Sequence, residues 1–173
     1  HSKHGAQQES IHVFLNTGLR YWLDKESAQS ASILEIGFGT GLNFLLTADY
    51  CSKNNINLNY VGIEAYPLKP ELIVQSEYNQ YVNPEIWNLF VENYAKALES
   101  KLSFNELIQL KIAHQKVMDF QSEERFDVIY FDAFAEIHQP EMWTPETLAH
   151  VCQFLNPGGV FVTYAITGNL KRA

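Results

Sequence analysis

The chain is short of cysteine, of positive charge and of long apolar runs, and each shortage excludes a class of protein. Cys51 and Cys152 are its two cysteines. They lie far apart and form neither a C-x-x-C pair nor a zinc pattern with any histidine, which argues against a disulfide framework and a structural metal. Both are expected to be buried, reduced thiols of a cytoplasmic protein. His12, His138 and His150 form no constellation, so no metal is expected. No apolar run is long enough to span a bilayer and no charged-then-apolar leader opens the sequence, so no membrane partner is expected. Lys and Arg total 12 against 20 Asp and Glu, a net charge of −8. A surface that grips phosphate backbones everywhere needs clustered cations, so any nucleic-acid contact must be local.

What is present describes one α/β domain. Hydrophobic residues make up 46% and aromatics 13% of 173 residues, enough for a core, with no repeat or low-complexity tract. Residues 1–10 are polar. Ile11, Phe14, Leu15, Leu19, Trp22 and Leu23 then fall at helical spacing, predicting an amphipathic helix over 11–23. Residues 32–36 read as a short apolar strand, broken by Gly37, Gly39 and Gly41, with a helix from Leu42 to Cys51. A second strand over 60–63 ends at Glu64. Helices are expected from Pro70 onward and over 84–99, and a third strand at 107–113. Residues 126–131 (FDVIYF) are nearly continuous apolar sequence, the pattern of a strand covered on both faces. Thr144 is placed as the N-cap of a helix over 144–155, with Pro145 at its first position and Thr147 where a full capping box would carry Glu or Gln. Asn156-Pro157-Gly158-Gly159 should stop that helix, and 160–165 should be the next strand. Such alternation predicts a Rossmann-like, mostly parallel sheet with helices on both faces, whose ligands bind beyond the carboxyl ends of the strands.

Three polar signals converge on that edge: Glu35 with its glycine turn, Glu64, and Asp132. The glycines let the backbone approach a ligand, and Thr40 and Asn43 belong to the same candidate turn. A dinucleotide fingerprint starting at Gly37 would need a small residue at Leu42, and the Lys-Ser/Thr of a phosphate loop is absent. An acid before the turn, Glu35, suits a ligand carrying an ammonium or sulfonium group. Glu64, with Ala65 beside it, is placed to hold two ribose hydroxyls. His114 and Gln115, or the pair Met118 and Asp119, are the candidates for the base of such a ligand. Asp132 could orient an amine or take its proton so that a lone pair attacks in line. Phe134 and Trp143 could stack on a planar substrate, with core packing as the alternative. Tyr78, Tyr81, Trp87, Phe90 and Tyr94 read as core or lid packing, and Asp127 as structural.

The segments ILEIGFGTGLNFLLTA (33–48), FDVIYFDAFAEIHQPEMWTPETL (126–148), LNPGGVFVTYAITGNLKRA (155–173) and GAQQESIHVFL (5–15) together resemble the MnmC-like family. That family completes 5-methylaminomethyl-2-thiouridine at the wobble position of certain tRNAs. The resemblance implies a class I fold, S-adenosylmethionine as methyl donor, and an aminomethyl-uridine of tRNA as acceptor. It places Glu35, Gly37, Gly39 and Gly41 at the cofactor turn, Glu64 at the ribose and Asp132 on the substrate side. It also sets Gln8 and Glu9 at the border of the cofactor. Gly168, Lys171 and Arg172 match a glycine-plus-basic element that could meet the tRNA backbone. A separate flavin-dependent oxidoreductase is the partner this family implies. The chain departs from the pattern at Glu136, where the family usually has proline. It also stops at Ala173, before the last helix and strand pair of a class I fold, so a single domain trimmed at both ends is expected.

Other readings remain open at this point. An aminopropyltransferase would place a second acid soon after Asp132, where Ala133, Phe134 and Ala135 stand instead. A small-molecule amine methyltransferase suits the acidic surface. A non-catalytic cofactor-binding module of a tRNA-modification complex would keep the pocket without transferring a methyl group.

Overall fold

The computed structural model describes residues 3–134 and 136–164. Its centre is a six-stranded sheet in the order β3-β4-β2-β1-β5-β6. The strands are β1 (Ser30–Ile36), β2 (Asn57–Glu64), β3 (Leu102–Ser103), β4 (Ile108–His114), β5 (Phe126–Phe131) and β6 (Leu155–Val162). Every pairing is parallel except β3 with β4. Chain order reverses its direction of travel across the sheet at β1, which has β2 on one side and β5 on the other. Such a switch opens a crevice at the carboxyl ends of the central strands.

Helices cover both faces because the strands alternate two apolar sets. Ile33, Tyr60 and Tyr130 point to one face and join a core with Phe14, Leu19, Phe44 and Phe90. Leu34, Val61 and Ile129 point to the other and pack with Val117, Trp143, Leu148 and Val151. The first layer holds an amino-terminal helical run, α3 (Leu42–Lys53) and α5 (Pro84–Ala97), with α4 (Pro70–Gln75) against α5. The second holds α6 (Pro145–Cys152).

The amino-terminal run is longer than periodicity predicts. It comprises α1 (Lys3–Glu9), a π-helical segment (Ser10–Arg20) and α2 (Tyr21–Glu26). Its buried side chains begin at Ser10 and include Phe14, Leu15, Leu19 and Leu23, whereas α1 buries none. A run with no apolar side to bury carries no periodic signal, which is why α1 is invisible in the sequence. Gly18 lets this run lie close on the sheet, since a Cβ there would stand 3.0 Å from Val162.

Local chemistry accounts for the helix starts. Thr144 accepts from the Thr147 amide at 3.2 Å and Pro145 opens α6. Asn83 caps α5 by accepting from the Glu85 amide at 2.8 Å, with Pro84 at the first position. Asp127 is structural, accepting from the Ser32 amide at 2.8 Å and from Asn156 at 3.0 Å. Two expectations need correction. β6 begins at Leu155 and runs through Pro157-Gly158-Gly159, because a register shift opposite Phe126–Val128 accommodates the extra residues. Cys152 lies exposed on α6, while Cys51 is buried and its thiol is pushed up to about 12 by burial. Among the described residues no helix is long and apolar enough to cross a membrane.

Candidate functional site

A cavity of about 760 Å³ opens at the carboxyl ends of β1, β2, β4 and β5. That volume lies within the roughly 300–1,000 Å³ of small-molecule sites. Its floor is made of the ends of β1 and β5. Gly37 turns the chain out of β1 with φ of +87°, and a Cβ there would stand 3.0 Å from the Asp132 carbonyl. Only glycine permits both that conformation and that approach. Gly41 has φ of +85° and begins α3, where a Cβ would meet Phe90 at 2.6 Å. The glycine turn is thus clamped between β5 below and the aromatic core of α5 behind.

Glu64, at the end of β2, ties the turn to its neighbour. Its two oxygens accept from the Gly39 amide at 2.8 Å and the Tyr66 amide at 3.2 Å. A carboxylate has roughly four acceptor positions, so two remain for hydroxyls entering from the cavity.

Glu35 and Asp132 are the electrostatic centre. Glu35 is 0% exposed. Its oxygens accept from the Tyr60 hydroxyl at 2.6 Å and from Asn43 Nδ2 at 2.7 Å. Asn43 Nδ2 also donates to Asp132 Oδ2 at 3.0 Å, so one amide bridges the carboxylates of two adjacent strands. Burial, and then the Asp132 charge, push Glu35 well above the usual carboxylate range, against the two hydrogen bonds. Burial raises Asp132 to about 7, the Asn43 bond opposes the rise and the Glu9 carboxylate adds to it. Two acids held this way favour a cationic or amine-bearing ligand, which would relieve the cost of ionising them.

The structure sorts the other candidates. Glu9, Gly37, Gly39, Thr40, Ala65, Gln115 and Phe134 line the cavity with Glu35, Asn43, Glu64 and Asp132. Gln8 does not: it is exposed and pairs with His4 at 3.1 Å, because it sits on the outer side of α1. Gly41 is turned toward Phe90, behind the turn. His114 pairs with Glu64 in the β2–β4 register without lining the cavity, whereas Met118 lines it and Asp119 does not. Trp143 is 0% exposed, donates Nε1 to the Phe134 carbonyl at 2.7 Å and packs edge-on to Phe131 at 4.9 Å. It cannot stack on a substrate; it holds the Phe134 loop. Phe134 is 67% exposed at the rim. Lys171 and Arg172 lie outside the described residues, as does Gly168.

Several cavity residues escaped sequence reasoning. Ser10, Tyr66, Lys116 and Tyr164 all line it, and so does Tyr78, which the sequence placed only as core or lid packing. Tyr66 follows Glu64 by two residues and was findable by proximity to a strand end. Tyr78 reaches the turn only through tertiary packing, with Thr40 Oγ1 donating to its hydroxyl at 3.3 Å.

Comparison with known proteins shows the family and the fold. The MnmC of Idiomarina loihiensis, named a tRNA 5-methylaminomethyl-2-thiouridine biosynthesis bifunctional protein, is 32% identical over 181 residues, 95% of this chain and 30% of the relative. The same-named protein of Pseudomonas savastanoi pv. phaseolicola is 29% identical over 187 residues, 99% of this chain and 28% of the relative. The chain therefore spans less than a third of these curated relatives. The crystal structure of MNMC2 from Aquifex aeolicus superposes with a TM-score of 0.74 at 20% identity, covering 96% of this chain and 53% of that one, and so shares the fold. A family model described as S-adenosyl-L-methionine-dependent methyltransferase matches residues 81–173, more than half of the chain, and it is to this family that the chain belongs.

Proposed function

We propose that the chain transfers a methyl group from S-adenosylmethionine to the exocyclic amine of an aminomethyl-uridine at the tRNA wobble position. The observation that carries the reading is Asp132: a carboxylate raised to about 7, tethered to Asn43, at the floor of a cavity beside a glycine turn. The residues fit the donor. Glu64 offers acceptor positions to ribose hydroxyls, Gly39 has no atom within 4 Å of where a Cβ would stand, and two acids suit a cation. When bound, S-adenosylmethionine supplies an electrophilic methyl group on a positively charged sulfur.

The chain's own residues then do three things. Gly37, Gly39 and Glu64 hold the donor at the strand ends. Asp132, once ionised, accepts a hydrogen bond from the incoming amine and can take its proton, leaving a neutral lone pair to attack. Phe134 presents an exposed ring to a base at the rim. Lys171 and Arg172 are assigned to the tRNA backbone on the family resemblance. The relatives' names, which refer to biosynthesis of 5-methylaminomethyl-2-thiouridine in tRNA, support that acceptor, and their word "bifunctional" supports a second activity beside it; a separate flavin-dependent oxidoreductase as partner rests on the family resemblance. The net charge of −8 favours a second reading, a small amine as acceptor.

The test is methyl transfer from labelled S-adenosylmethionine to tRNA from cells unable to complete the wobble modification, with nucleoside mass analysis. A methylated aminomethyl-uridine is expected. Cofactor binding without label in tRNA, but with label in small amines, moves the acceptor; binding with no transfer at all leaves a binding module.

A further inference from the structure

Asn43 is the second residue of α3 and is buried, so its amide must find partners inside the protein. It finds three. Nδ2 gives one bond to Glu35 on β1 and one to Asp132 beyond β5. Oδ1 accepts from the hydroxyl of Ser10, the first residue of the π-helical segment. Ser10 is itself buried.

These partners decide which way the amide faces. An inverted amide would set its oxygen against two carboxylates and lose both bonds, while the Ser10 hydroxyl would retain a partner in either orientation. With the oxygen held by Ser10, both N–H groups are committed to the carboxylates. Asn43 therefore has no donor left for a ligand in the cavity, although it lines that cavity and its oxygen keeps a second acceptor position. We propose that Asn43 is a positioning residue for Asp132, and that Ser10, reaching it from the amino-terminal helical run, anchors its amide from the oxygen end. This deepens the reading of Asp132 as the carboxylate facing the amine, and rests on it.

The consequence is that the amino-terminal run takes part in the chemistry at second hand. The groups facing Asp132 are Glu9 from α1, Glu35 from β1, Asn43 from α3 and Tyr164 following β6. Tyr60, hydrogen-bonded to Glu35, also interacts directly with the Asp132 charge, and Glu64 acts on Glu35. Of the groups acting directly on Asp132, Asn43 favours the ionised form, while burial and Glu9 oppose it. Releasing the amide from Ser10 weakens the one bond that keeps Asp132 ionised near neutrality.

The experiment compares Ser10→Ala and Ser10→Thr with the wild-type chain. Two quantities are read: kcat against pH for methyl transfer to tRNA, and the ionisation midpoint of Asp132 by carboxyl ¹³C NMR without cofactor. In Ser10→Ala the acid limb and the NMR midpoint are expected to move up by about one pH unit. At pH 7 kcat should fall about fivefold, as the ionised fraction does, with KM for tRNA unchanged, as for an interaction acting only in the chemical step. Ser10→Thr should restore both. An unmoved midpoint and limb in Ser10→Ala overturn the proposal, as does a Thr variant that folds but restores neither. Should Ser10→Ala not melt cooperatively, Ser10→Cys, a weaker donor of similar size, should give a smaller shift in the same direction, and no shift overturns the proposal. If the wild type moves no methyl to tRNA, the acceptor reading fails by itself, and the NMR midpoints still decide the role of Ser10.

Discussion

The floor and the rim of the cavity are built on opposite terms. At the floor, Glu35 and Asn43 are buried, Asp132 is half-buried, Asn43 donates to both carboxylates, and Gly37 and Gly41 behind them leave no space for a Cβ. At the rim, Tyr66 at 79% exposure and Phe134 at 67% project into solvent. A group held from several sides acts through its charge state, because it has nowhere to move. An exposed ring acts through area and stacking, and its loss changes affinity more than rate. The floor is therefore where chemistry should be set, and the rim where the acceptor should be selected.

The largest effect expected from this contrast is electrostatic. Asp132 is raised to about 7, and an unfolded aspartate titrates near 3.9. A folded value above the unfolded one means that the native state binds the proton more tightly. Stability is then greatest below about pH 4 as far as this group is concerned, and is lost as pH rises through about 7. For the cofactor-free chain, denaturation at pH 5 and pH 8 should differ in this direction by about 2–4 kcal/mol for a buried group shifted this far. Asp132→Asn should remove most of that difference; an unchanged pH slope would mean that the floor is not the strained element.

Next comes packing behind the turn. A Cβ on Gly62 would stand 2.4 Å from the Phe38 ring, which itself packs on Phe44 and Phe90. Gly62→Ala should destabilise by about 1–3 kcal/mol, as overpacking does, and weaken cofactor binding by displacing the Phe38 segment of the turn. Urea titration and calorimetry together check this, and a loss of binding without loss of stability would separate the turn from its backing. The smallest effect belongs to the rim. Phe134→Ala should raise KM for tRNA about fivefold, the low end of base stacking on an exposed ring, with kcat and cofactor affinity unchanged. An equal fall in kcat would erase the distinction between floor and rim.

The same contrast explains how much was legible in the sequence. β5 and the helix cap at Thr144 could be read to within a residue, because continuous apolar sequence and capping chemistry are local signals. Glu35, Glu64 and Asp132 were legible as a set because each ends a strand, and parallel strands bring such ends to one edge. The bridge through Asn43 was not, since it depends on how α3 and the amino-terminal run settle on the sheet, and neither residue spacing nor type encodes that contact. In sequence alone Trp143 stands between stacking and core packing for a related reason. An aromatic beside a functional loop looks the same in sequence whether it faces a substrate or, as here, holds the loop from within.

The most direct test of the division of labour at the strand ends measures cofactor affinity and turnover separately in two variants. Calorimetric titration with S-adenosylmethionine and labelled transfer to undermodified tRNA are made on Asp132→Asn and Glu64→Ala. Asp132→Asn should bind within about threefold of wild type and lose roughly 10²–10⁴ in kcat, the range of a general acid–base group. Glu64→Ala should lose affinity first, by about tenfold for charge-assisted bonds, and retain turnover at saturating cofactor. Equal losses of binding in both variants would contradict the account.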